Sequence, residues 1–380
     1  MPQLPISDEY FNRSSRVVAD TPRYNTRVRY AVFARQGGVL CGLNRSVRFI
    51  QEQCVGPLKV WARRDGDHFA ANQAVMIVEG MFGELVNLET TYLGNLAFSG
   101  AATNMKRITE AARDAYVVDM SARHYPFEII EQTAYAAAIG GAGGTSTQAG
   151  YRYVHRWLGL GHEDLIRVNA EPPRPFRVYG SIPHALNAVY GGSSVDSAAA
   201  YRERLPDIPL TVLIDFEGRE LDVCREAYAR FGRDLFAVRL DTHHARIHQG
   251  GHERRVPTLV DRILSRARDR DQATEAIHRY GFGPGVTIEA AYNVRRVLDE
   301  IGATDVQLLV SSGFTAEKVA AFVAAAAPIH GVGTGSWVEF LMFTSDITHV
   351  FENSQWVRRW KVGREGEIGL PDDLPLRLET

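Results

Sequence analysis

From Arg27 to Arg35 apolar and polar residues alternate, with Val28, Tyr30, Val32 and Ala34 in phase, the two-residue period of a strand with one face in a core. The stretches from Leu58 to Ala62 and from Ala74 to Glu79 repeat that character. Short strands without long helices between them predict a small α+β unit. Between Leu88 and Ala115 the spacing becomes helical: Leu93, Leu96, Ala97, Ala101 and Met105 fall on one stripe, predicting a helix that leads into a second unit.

Beyond that helix the pattern is of short apolar runs, from Tyr116 to Val118, Val178 to Tyr179, Leu210 to Ile214, Phe236 to Leu240 and Val306 to Val310. Amphipathic stretches separate several of them, notably Glu217 to Phe231, Ala290 to Ile301 and Thr315 to Ala325. Strand then helix, repeated, means parallel strands joined by crossover helices. A closed α/β barrel and an open doubly wound sheet both satisfy this pattern, and both place chemistry at the C-terminal ends of their strands. Strand-like alternation returns from Asp346 to Phe351, before the basic residues Arg358, Arg359, Lys361 and Arg364. The organisation expected is an α+β domain with its linking helix over 1–114, an α/β catalytic domain over 115–340, and a tail over 341–380 that folds back on the first domain.

At 380 residues the chain is too long for one ordinary core, which agrees with two packed domains. A formal net charge of -2 supplies no long-range field for a polyanion, so nucleic acid is not an expected partner and any basic site must be a local pocket. Cys41, Cys54 and Cys224 are too few and too scattered to staple a secreted fold or build a four-cysteine knuckle; a cytoplasmic protein without structural zinc is expected. The opening residues, Met1 to Pro5, show no basic and apolar export pattern, and no run reaches the length of a membrane span.

The ends of these apolar runs have an unusual composition. Asp119 to Arg123, Gly180 to His184, Asp215 to Glu217, Arg239 to Thr242, Ser311 to Gly313 and Gly331 to Thr334 place ionisable groups or glycines at successive strand ends. Ser311-Ser312-Gly313 precedes a helix and could aim free N–H groups at a phosphate; Gly331-Val332-Gly333-Thr334 reads as a second such loop. Glycines also make plain strand-to-helix turns, and two such loops in succession favour phosphate over that alternative. Asp215 and Asp241 could hold ribose hydroxyls or Mg²⁺ and stabilise positive charge at an anomeric carbon, although Asp215 could equally cap the next helix. Arg123 and Arg239 offer planar forks for carboxylate or phosphate. His248 and His252 have the spacing of a helical metal pair, but Gly250 and Gly251 lie between them, favouring a solvated or phosphate-facing loop.

Assembled in order, these segments resemble the nicotinate phosphoribosyltransferase family, particularly its shorter archaeal-like branch, from about Asp8 to Arg364. Asp8-Glu9-Tyr10-Phe11-Asn12-Arg13, Glu89-Thr90-Thr91-Tyr92-Leu93 and Asp119-Met120-Ser121-Ala122-Arg123 are similar to its early motifs. Gly144-Thr145-Ser146-Thr147, Gly180-Ser181-Ile182-Pro183-His184-Ala185 and Arg239-Leu240-Asp241-Thr242 are similar to its central ones, and Ser311-Ser312-Gly313-Phe314, Gly331 to Thr334 and Lys361-Val362-Gly363-Arg364 to its last. Met120 and Ser121 depart from the usual phenylalanine and glycine, Phe314 replaces a glycine, and His243-His244-Ala245-Arg246 replaces the familiar continuation after Thr242.

The resemblance implies an α/β fold, an irregular (β/α) barrel of the type II phosphoribosyltransferases, with the α+β N-terminal domain completed by the C-terminal tail. It implies transfer of phosphoribosyl from phosphoribosyl pyrophosphate to a pyridine-like acid, with His184, Asp215 and Asp241 catalytic. Arg123, Ser146, Arg239 and Thr242 are then substrate-binding, as is Tyr10, which would stack on the ring in a partner's site and make the enzyme a homodimer with shared active sites. Ser312, Gly313, Gly331, Gly333 and Thr334 would bind phosphate. Ser146 in place of an aspartate favours an acid acceptor, because a hydroxyl can donate to a carboxylate that an aspartate would repel. Mg²⁺ is implied as cofactor, and ATP coupling through a phosphorylated His184 is left open.

Overall fold

The computed structural model describes residues 4–158, 176–364, 366–371 and 373–380. Met1 to Gln3, part of the stretch that bears on export, lie outside them. Five strands come first: β1 (Arg27–Ala34), β2 (Gly38–Val39), β3 (Lys59–Ala62), β4 (His68–Phe69) and β5 (Ala74–Met81). Seven more form the middle of the chain: β6 (Tyr116–Asp119), β7 (Gly144–Thr145), β8 (Arg177–Val178), β9 (Leu210–Leu213), β10 (Leu235–Leu240), β11 (Gln307–Val310) and β12 (Gly331–Thr334). The tail adds β13 (Phe343–Glu352), β14 (Gln355–Arg358) and β15 (Leu376–Glu379).

β1, β3 and β5 join the tail strands in one antiparallel sheet, in the order β14-β13-β1-β5-β3-β15, while β2 and β4 pair with each other apart from it. Its inner face, with Val28, Tyr30, Val32 and Ala34 of β1, packs with Leu43, Val60, Val78 and Leu96 in one core. The period of two predicts that β1 is half exposed; instead its second half is buried on both faces. Ala31, Phe33 and Ala74 on the far side are covered by Ile368, Trp360 and Leu370 of the tail.

The seven middle strands are parallel, in the order β8-β7-β6-β12-β11-β10-β9. Every strand sits beside its neighbour in sequence except across β8 and β9, and the last strand, β12, lies beside the first, β6. A doubly wound sheet reverses its order at a switch point and leaves the first and last strands apart. The pairing of β12 with β6 therefore resolves the two alternatives as a curled barrel, open along the β8/β9 seam. That seam is bridged at its C-terminal end: His184 Nε2 lies 3.0 Å from Asp215 Oδ2, and Ser194 N–H donates to Glu217 Oε1 at 2.8 Å. Val212, Val238, Leu308, Val310 and Val332 are wholly buried, the branched residues that fill a small barrel.

Two expectations are corrected. The single helix expected between Leu88 and Ala115 is two, Glu89–Leu96 and Ser99–Ala112, because the Ala97 carbonyl accepts from Leu341 N–H at 2.9 Å rather than continuing the helix. Gly331 to Thr334 is not a loop but β12, mid-sheet, with its backbone engaged by β6 and β11. Its glycines make room for side chains, since a Cβ on Gly331 would meet the Tyr116 ring at 2.6 Å and one on Gly333 would meet Met120 at 2.5 Å.

The two domains are tied by a buried carboxylate. Asp65 accepts from Leu43 N–H at 2.7 Å, starting the helix Leu43–Gln53, and from Tyr135 Oη–H at 3.0 Å on the barrel side. Among the described residues no helix is long and apolar enough to cross a membrane.

Candidate active site

The C-terminal mouth of the barrel is built from strand ends. After β8, Pro183 occupies the cap position of a short helix, His184–Val189, and so fixes where the His184 ring begins. Asp215 comes just after β9, and its Oδ2 takes the His184 Nε2 hydrogen bond. That bond, helped by the charges of Asp215 and Asp241, raises the imidazole pKa above its ordinary value against the opposing effect of burial. Helix capping is not the role of Asp215, because the helix Glu220–Phe231 starts later with Arg219 at its cap.

One strand over, Arg239 lies near the end of β10 and Asp241 just past it, with Arg239 Nη2 3.9 Å from Asp241 Oδ2. Arg239 is largely buried, and burial lowers its pKa; the charges of Asp241 and Asp215 oppose that shift and Arg123 reinforces it. Arg123, exposed after β6, thus lies within electrostatic range of the same arginine.

After β11 the chain turns through two residues in the left-handed region, Ser312 at φ 80° and Gly313 at φ 69°. Only Gly313 does so without a steric penalty, so Ser312 is held there by its surroundings. Lys318 Nζ donates to the Ser312 carbonyl at 3.2 Å and lies 4.5 Å from the centre of the Phe314 ring. Burial pushes the Lys318 pKa down to about 8. The helix Ala316–Ala324 starts directly afterwards, with Thr315 Oγ1 accepting from Lys318 N–H.

A cleft of about 440 Å³ opens between these ends, lined by His184, Asp215, Phe216, Asp241, His243, Arg246 and Ser312. Four buried polar atoms at this mouth have no partner: Asp215 Oδ1, Arg239 Nε, Ser181 Oγ and Ser311 Oγ. Leaving a buried polar group unpaired costs about 1–3 kcal/mol. Four such atoms on four successive strand ends are what a polar ligand would satisfy.

The structure brings His184, Asp215, Asp241 and Ser312 together, with Arg239 and Gly313 adjoining. It does not bring all the sequence candidates there. Thr242, expected to touch substrate, is wholly buried and spends its hydroxyl on Glu220 Oε1 at 3.0 Å. Thr334 donates to the Phe314 carbonyl at 2.8 Å, within the wall rather than into the cleft. Ser146 is exposed at the end of β7 and Tyr10 is 60% exposed on the helix Glu9–Val18; neither lines the cleft. His248 and His252 are not a helical pair, for the stretch between them is loop: His248 is buried, held neutral by burial that lowers its pKa to about 4, and His252 binds Glu289.

Glu220 and Lys318 carry no signal in the sequence, because nothing in local periodicity marks a residue whose partner lies on another strand end. Phe216 could have been suspected from its place directly after a strand-end aspartate. Among the described residues no group of three or more histidine, cysteine or carboxylate side chains gathers as a metal cage. A hard cation such as Mg²⁺ needs less, since one or two carboxylates plus substrate phosphates suffice. Asp241 and the unpartnered Asp215 Oδ1 fit that requirement.

Residues 8–99 match the family model described as quinolinate phosphoribosyl transferase, N-terminal domain. No curated protein matches the sequence. Among solved structures the chain is similar to the nicotinate-nucleotide pyrophosphorylase of Pyrococcus furiosus, at 23% identity and a TM-score of 0.70, covering 94% of this chain and 77% of that one. It is also similar to NadC of Streptococcus pyogenes, at 15% identity and a TM-score of 0.55 over 92% of this chain and 96% of that one. The human nicotinic acid phosphoribosyltransferase gives 13% identity and a TM-score of 0.60 over 91% and 75%. At these identities the likeness is one of fold.

Proposed function

From the type II phosphoribosyltransferase fold as premise, we propose that this protein joins the ring nitrogen of a pyridine-type acid, nicotinate first, to the ribose of phosphoribosyl pyrophosphate. The observation that carries the reading is the cleft at the barrel mouth. It sets two aspartates, a histidine in an ion pair and a left-handed serine–glycine turn around unpartnered buried polar atoms.

The bond from the anomeric carbon to pyrophosphate breaks with its electron pair leaving on pyrophosphate, and the ring nitrogen's lone pair forms the new bond. Between these events the sugar carries positive charge, which Asp241 and Asp215 stabilise from fixed positions. No protein nucleophile is needed, because orientation supplies the rest. His184, whose protonated form Asp215 favours, donates to an anionic oxygen of the donor substrate. Ser311, Ser312 and Gly313 present hydroxyl and N–H groups to phosphate ahead of the helix dipole. Mg²⁺, when bound through Asp215 and Asp241, would neutralise pyrophosphate charge. In this reading the protein is a cytoplasmic homodimer, in which the exposed Tyr10 serves the partner's site.

A second acceptor, quinolinate, is favoured by the family model over residues 8–99; Arg123, within electrostatic range of Arg239, would supply the further guanidinium that an acid with two carboxylates calls for. The experiment is pyrophosphate release from phosphoribosyl pyrophosphate and Mg²⁺ with nicotinate, quinolinate or nicotinamide, each with and without ATP. Turnover of an acid over the amide is expected, and inertness towards every acceptor rejects the proposal. Incorporation of phosphate from labelled ATP into the wild type, lost in His184→Ala, would establish coupling.

A further inference from the structure

Glu220 is wholly buried, yet it begins the helix Glu220–Phe231 and reaches back behind the cleft. Its Oε1 accepts from Thr242 Oγ1 at 3.0 Å and from the Arg246 guanidinium, and its Oε2 accepts from Gln249 N–H at 2.9 Å. Arg246 Nη2 also donates to the main-chain carbonyl of Asp215 at 3.3 Å. One carboxylate is thus joined to both strand ends that carry the cleft's acids: directly to Thr242, the residue next to Asp241, and through Arg246 to the main chain of Asp215.

The loop returns the contact. Gln249 Oε1 accepts from Leu221 N–H at 2.9 Å and Asp222 N–H at 3.1 Å, capping the helix whose first residue holds the loop. Further along, Glu289, also buried, accepts from His252 N–H at 2.9 Å and binds His252 Nδ1 at 2.6 Å. Gly285 N–H donates to the Arg246 carbonyl at 2.8 Å. The histidine-rich stretch is therefore anchored from three sides, and its most buried anchor is Glu220.

We propose that Glu220 is a positioning residue, which through Thr242 and Arg246 holds Asp241 and Asp215 at the spacing that the reacting sugar requires. The assignment rests on the reading of the cleft as a phosphoribosyl-transfer site. Glu220 itself touches no substrate. A buried charge with an aspartate-bearing strand on either side can fix both only while its hydrogen bonds are complete, since partial loss leaves an unpaired ion in the wall.

The test compares Glu220→Gln, Arg246→Met and the double variant in the full chain. Misplacing reacting groups by about an ångström costs up to roughly a hundredfold in rate. Each single variant should accordingly lose on the order of tenfold or more in kcat, with KM for phosphoribosyl pyrophosphate changed far less in Glu220→Gln, whose residue does not line the cleft. The double variant should be no slower than the slower single one. Amide exchange, measured without substrate, should quicken over 215–218 and 242–249 in both single variants while the antiparallel sheet keeps its protection. Unchanged exchange and unchanged kcat in Glu220→Gln would overturn the proposal, as would losses that multiply in the double variant. A wild type without turnover would instead reject the phosphoribosyltransferase reading, and the exchange pattern would still report whether the anchor exists. Arg246→Met, at the edge of the cleft, supplies the answer should Glu220→Gln fail to fold.

Discussion

Asp215 shifts the protonation of His184, and this fixes a measurable sign. Because the hydrogen bond to Asp215 is the largest contribution to the raised His184 pKa, an Asp215→Asn protein should show the imidazole titrating at lower pH than in the wild type, read from its proton shifts by NMR. A histidine pKa raised by folding stabilises fully below the unfolded value and loses that stabilisation as pH rises through the folded one. The stability gap between wild type and Asp215→Asn should therefore close as the solution is made alkaline; a gap that widens contradicts the pairing. Asp241→Asn should cost roughly 10²–10³-fold in kcat with little change in thermal midpoint, as removal of a charge-stabilising group does. His184, Asp215, Asp241 and Ser312 are legible in the sequence because each stands at or just past the end of an apolar run. Thr242 misleads for the same reason: adjacency to Asp241 says nothing about which way a side chain turns, and its hydroxyl goes to the buried Glu220 rather than into the cleft.

Strand and helix identity is readable where a run is short and bounded, as at β9, β10 and β11. It is not at β12, where Gly331 and Gly333 read as a loop because glycine marks turns more often than strands. The physical reason for those glycines is lateral: Tyr116, which begins β6, and Met120, just past its end, occupy the space a side chain would need. Gly331→Ala is thus a packing test. It should destabilise the protein by about 1–3 kcal/mol in denaturant unfolding through overpacking against the Tyr116 ring, while leaving affinity for phosphoribosyl pyrophosphate nearly unchanged in the folded fraction. A selective loss of affinity would return the phosphate role to that segment. The split of the linking helix is equally hidden, since what ends its first half is a hydrogen bond from Leu341, more than two hundred residues away.

Between the domains, Asp65 is ionisable but fully buried, and burial raises its pKa from 3.8 to about 6. A carboxyl raised in this way favours folding while protonated, and its contribution is lost as pH climbs through about 6. Tyr135 donates to the ionised form, so Tyr135→Phe should lose about 1–3 kcal/mol relative to the wild type above that pH and less below it, measured by denaturant unfolding at pH 5 and 8. The barrel and the antiparallel sheet are both legible as classes; the choice of ring over open sheet is legible through the family resemblance but not from periodicity, because it lies in the long-range contact of β12 with β6. The first domain holds a last consequence. Val28 pairs with Val350, so β1 finds one of its two partners only after more than three hundred further residues have been made. The barrel can close before the sheet that precedes it in sequence, and until β13 is made one edge of β1 stays open to wrong partners. Synthesis order and assembly order run in opposite directions here, and a chaperone that shields nascent edges would act on β1 for the longest time.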